Sequence, residues 1–67
     1  MRIQVTQVTF FAGETLVTGI SSDDPPKLVS AAAPASVGLD IALALASGIE
    51  VVAEPPDEDV RDIFEHP

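Results

Sequence analysis

Between Ile3 and Ile20 the chain alternates as a β-hairpin must, and that constrains the fold more than any other feature. Ile3 and Val5 alternate with Gln4 and Thr6, and Val8 and Phe10 alternate with Gln7 and Thr9. The two apolar pairs are out of phase, one on odd and one on even positions. A β-bulge near Thr6–Gln7 would return both to one buried face. Ala12-Gly13-Glu14 follows as a turn, with Gly13 able to adopt positive φ. Thr15 to Ile20 is rich in β-branched residues and reads as the return strand.

The downstream segments read less sharply. Residues 21–26 form a loop, since Ser and Asp bond nearby backbone and Pro25-Pro26 cannot donate to a sheet. Two neighbouring acids there, Asp23 and Asp24, are ordinary turn formers without the spacing of a calcium loop. Residues 27–32 read as a third strand ended by Pro34. Residues 36–47 alternate Ile and Leu with Ala, as a strand would, but Ala and Leu are the strongest helix formers. Ser36 as the N-cap and Gly48 just past the end favour a helix. A strand over residues 49–52 is expected next.

Pro55-Pro56 then breaks the chain. The residues beyond it predict a short acidic helix, with Asp57, Glu58 and Asp59 at its positive end and Val60, Ile63 and Phe64 on one face. This is the pattern of a docking element, and these six residues are the candidate partner-binding set. The expected organisation is one domain over residues 1–54 and an acidic docking tail over 55–67. The expected fold class is α+β: a small antiparallel sheet, made of the hairpin and one or two more strands, with one apolar helix. The alternative is an all-β barrel or sandwich with residues 39–52 as strands.

Composition narrows function by exclusion. With 67 residues the chain is one domain at most, and marginal alone without a staple. It has no cysteine and one histidine, His66, so neither a disulfide framework nor a zinc site is expected. Yet 46% of its residues are hydrophobic, too many for a disordered chain. The net charge of −8 sets it against phosphate backbones and anionic lipid, so neither nucleic acid nor membrane is an expected direct partner. No stretch is apolar and long enough for a signal or a transmembrane span.

No motif specifies a reaction or a cofactor, and none of either is expected. Asp40 and Glu50 are the only acids set among apolar runs, and each has a structural role open to it. The chain therefore reads as a structural interaction protein, a small accessory subunit of a homo- or hetero-oligomeric assembly such as a virus particle, located there or in the cytoplasm. Its partner would offer a basic or apolar groove. The alternative is an acidic inhibitor, of the antitoxin or DNA-mimic type, lying in the basic groove of a nucleic-acid-binding protein. Six of the eleven acids fall between Glu54 and Glu65, in a tail with an apolar stripe, which favours the first reading.

Overall fold

The computed structural model describes residues 1–63. Strands β1 (Ile3–Phe11), β2 (Glu14–Ser21) and β3 (Leu28–Pro34) form an antiparallel meander. Helix α1 (Ala35–Ala46) follows β3 directly, and β4 (Val52–Ala53) and β5 (Val60–Asp62) complete a curled five-stranded sheet in the order β4-β1-β2-β3-β5. Every pairing is antiparallel. The mixed α+β architecture agrees with the first fold expectation, and residues 35–46 resolve as helix rather than strand.

The sheet curls for two local reasons that meet at one place. The register of β1 on β2 slips between Val5 and Gln7, leaving Thr6 as the extra residue of a bulge. Its hydroxyl donates to the Thr18 carbonyl at 3.4 Å. The slip puts Ile3, Val5, Val8 and Phe10 on one face, as the phase break requires. Across from the bulge stands Gly19, buried between Val5 and Val29. A Cβ there would overlap the Gln4 carbonyl and the Ile3 side chain. Bulges sharpen twist, and a strand glycine lets backbones close in at a barrel corner.

The concave face holds the core. Ile3, Val5, Val17, Val29 and Ala31 are its buried apolar residues, with Thr15 and Ser21 beside them. Helix α1 lies against β1, β2 and β3 and buries only Gly38. Gly38 sits directly on Thr15, where any Cβ would overlap the threonine side chain. The Thr15 hydroxyl donates to the Ala33 carbonyl at 3.0 Å, so this buried polar group is satisfied at the β3–α1 junction.

The helix starts one residue before the expected cap. Pro34 occupies the N-cap and Ser36 lies inside the first turn, with no side-chain capping bond. The chain turns straight from β3 into the helix at Pro34, a residue preset for a helix start. At the other end Gly48 has φ 77° and donates to the Leu45 carbonyl at 3.0 Å, while Ile49 donates to that of Ala44 at 3.0 Å. This is a Schellman ending. It spends Ile49 on closing the helix, so the strand expected over 49–52 is reduced to Val52–Ala53, preceded by a Val5 N–H to Val51 carbonyl bond of 2.9 Å.

Candidate functional site

The acidic segment after Pro56 is not the helix its spacing predicts. Asp57–Asp59 form one turn of 3-10 helix, and Val60–Asp62 then extend as β5 along the edge of β3. Val60 pairs with Ala31 and Asp62 with Val29, and Ile63 donates to the Leu28 carbonyl at 3.1 Å. The physical reason is long-range. An isolated helix this short is not stable in water, while an open strand edge offers ladder bonds to a β-branched segment. The backbone over residues 57–62 is not α-helical, so Val60 and Ile63 do not share the helical face expected of them. Val60 is half-buried, Ile63 is exposed, and Asp57, Glu58 and Asp59 are exposed. Phe64 lies outside the described residues.

Residues 54–59 act as a strap. They link β4 at one edge of the sheet to β5 at the other, which only a curled sheet permits over six residues. The strap passes the start of β1. The Met1 ammonium donates to the Pro55 carbonyl at 2.9 Å and pairs with the Asp57 carboxylate at 2.6 Å. Met1, Asp57, Val60 and Asp62 border one depression with Asp23 and Lys27 of the β2–β3 loop. Ser21 ties that loop shut, donating to the Lys27 carbonyl at 2.8 Å and accepting from the Lys27 N–H at 3.0 Å.

The topology thus makes two unlike ends. The strap end collects Asp23, Asp24, Glu50, Glu54, Asp57 and Asp62, six of the ten acids among the described residues, with Arg2 and Lys27, whereas Glu58 and Asp59 lie farther along β3, in a depression shared with Leu16, Ala31, Ala32 and Arg61. The end where β1 turns into β2 carries one acid, Glu14, with Asp40 a turn along the helix. Here the two-residue turn Ala12-Gly13, with Gly13 at φ 76°, joins Phe11 to Glu14. Phe10 is 51% exposed and Phe11 59%. Gly38 sits on Thr15, the register partner of Phe10, so the first turn of α1 with exposed Val37 and Leu39 lies at the same end.

This apolar end was not singled out by the sequence, although the signal was there. Two adjacent bulky residues in a strand face opposite sides. A one-layer sheet in a chain of this size covers only one of those sides. Asp40 and Glu50, the two acids set among apolar residues, are both exposed. Among the described residues no three His, Asp or Glu side chains converge as a metal ion would need, and no helix is long and apolar enough to cross a membrane. Comparison with protein families, with characterised proteins and with solved structures found no match to this chain.

Proposed function

We propose that this chain is a non-catalytic interaction subunit of a larger multichain assembly, of the kind that decorates or connects parts of a virus particle. One observation carries the reading: among the described residues five apolar ones are buried, whereas nine large ones, Phe10, Phe11, Ile20, Val37, Leu39, Leu43, Ile49, Val52 and Ile63, stand exposed. A chain with so small a core gains most by burying the remainder against other chains. Its site of action on this reading is the cytoplasm or the assembled particle.

The test is the mass of the native complex that contains the chain in its source. A complex several times 7.0 kDa supports the reading, and a free chain contradicts it. Within that complex, Phe64→Ala should reduce retention more than Asp57→Asn, Glu58→Gln or Asp59→Asn. Truncating a buried Phe costs about 3–5 kcal/mol, against about 0–1 kcal/mol for an exposed ion pair.

The gathering of acids at the strap end favours a second reading, an acidic inhibitor seated in a basic groove. That reading requires the three charge changes to abolish binding while Phe64→Ala binds normally. It also requires affinity to fall steeply as salt rises.

A further inference from the structure

We propose that the depression between β2, β3 and the 3-10 turn receives a basic side chain carried on an extended segment of a partner protein. The proposal deepens the subunit reading above and rests on it. The depression, about 460 Å³, is lined by Leu16, Ser30, Ala31 and Ala32, with Glu58, Asp59 and Arg61 exposed around it. Ser30 is 7% exposed, yet its hydroxyl has no hydrogen-bond partner among the described residues. No described side-chain oxygen is sealed off without a partner, so the Ser30 hydroxyl opens onto the depression it lines. A hydroxyl this deep normally finds a partner, and an occupant would supply it. The backbone is open at the same place. Ile63 donates to the Leu28 carbonyl, so the even-numbered residues of β3 turn their backbone groups toward β5. The ladder ends where Val60 meets Ala31, and Asp59 turns its N–H back to the Pro56 carbonyl at 2.9 Å. Ala32, next in line, is left to exchange a pair of ladder bonds with a further extended segment. Pro34 has no N–H and ends the open edge after that one residue.

Charge selects the side chain. Among the described residues neither Glu58 nor Asp59 makes an ion pair with Arg61 or any other base. Two unpaired carboxylates against one guanidinium, on a chain of charge −8, attract a cation and repel an acid. A second copy, with eleven acids and three basic residues, is a poor source of that cation, which points to a different protein. Geometry agrees. A residue paired with Ala32 shares its face of the sheet, which is also the face of Leu16 and Ser30. The aliphatic stem of a lysine or arginine there would lie on Leu16 and Ala32, as such stems do on apolar surface. Its head would reach the two carboxylates and the Ser30 hydroxyl, all of them acceptors for a charged donor.

The experiment is an NMR titration of the isotope-labelled full chain with a capped peptide, acetyl-Thr-Val-Arg-Val-Thr-amide, at physiological salt. The proposal expects saturating shifts at the amides of Leu16, Ser30, Ala32 and Asp59, with a Kd on the order of 0.1–1 mM, as one pair of ladder bonds and one charged side chain allow. Ser30→Ala should weaken binding by about tenfold. It should not lower the stability of the free chain, where the hydroxyl bonds nothing, and a purely structural serine would behave otherwise. Glu58→Gln with Asp59→Asn should weaken binding by at least roughly fivefold. Asp23→Asn with Asp24→Asn makes the same change in net charge in the β2–β3 loop, more than a Debye length of about 8 Å away, and should leave binding within about twofold. Circular dichroism confirms that the variants keep the fold. A chain whose amides do not shift up to about 10 mM peptide, far above the expected Kd, overturns the site. So does a peptide with norleucine in place of arginine that binds as tightly, or a Ser30→Ala chain that binds normally. Absence of binding beside a large native complex overturns the site and leaves the subunit reading standing. Binding beside a native species that is a free chain removes the subunit reading and keeps the site.

Discussion

The two ends of the curled sheet are held shut by different physics. At the tip, closure is steric: a glycine on the helix meets a threonine on the strand with no space for a Cβ, and the threonine hydroxyl closes onto β3. At the strap end, closure is polar: backbone bonds to Val51, Lys27, Leu28 and Pro56, and an ammonium held by a carbonyl and a carboxylate. The polar end keeps its charges in water. Both ends leave apolar side chains uncovered: Phe10, Phe11, Val37 and Leu39 at the tip, and Ile20, Ile49, Val52 and Ile63 at the strap end. The comparison teaches that, among the described residues, a chain of this size can satisfy its buried polar side chains alone by either means without covering its apolar ones.

Substitutions can break or sharpen this contrast. The largest effect belongs to the core beneath the strap. Ile3 is 1% exposed, opposite Ser21 and Ala53, and Ile3→Ala should lower unfolding free energy by about 2–5 kcal/mol in a urea titration. Next comes the steric contact at the tip. Gly38→Val should cost about 1–3 kcal/mol, because the threonine it meets is fully buried and cannot yield. A neutral Gly38→Val would show that helix and sheet are not locked there. Outside the core the effect should shrink. Phe11→Ser should change the stability of the monomer by no more than about 0.5 kcal/mol. Last is the strap's ion pair. Asp57 is 82% exposed, and Asp57→Asn should cost about 0–1 kcal/mol, less in high salt. A loss as large as that of Ile3→Ala would mean that the strap, not the core, holds this end.

What was legible in the sequence was what local periodicity and glycine can encode. The two strands of the hairpin, the bulge at Thr6, the turn at Gly13 and the helix end at Gly48 all follow from residues within a few positions of one another. The helix over residues 35–46 was readable from its Ala and Leu content against a competing alternation. The tail was not readable. Its i, i+3, i+4 spacing fits a helix, but the partner that decides the matter is the edge of β3, some thirty positions earlier. Val60 and Asp62 follow that edge rather than their own spacing. The apolar tip was hidden for a related reason: whether Phe10 and Phe11 are covered depends on how many layers the chain can build, which no local window contains.

The central proposal is that the chain is not a stable monomer on its own and gains stability by associating with further copies of itself. The most direct test is chemical denaturation of the purified full chain at several protein concentrations. If association completes the fold, the midpoint rises with concentration, because binding to the folded state adds stability by mass action. A cooperative transition whose midpoint is the same from low micromolar to millimolar protein would contradict the account.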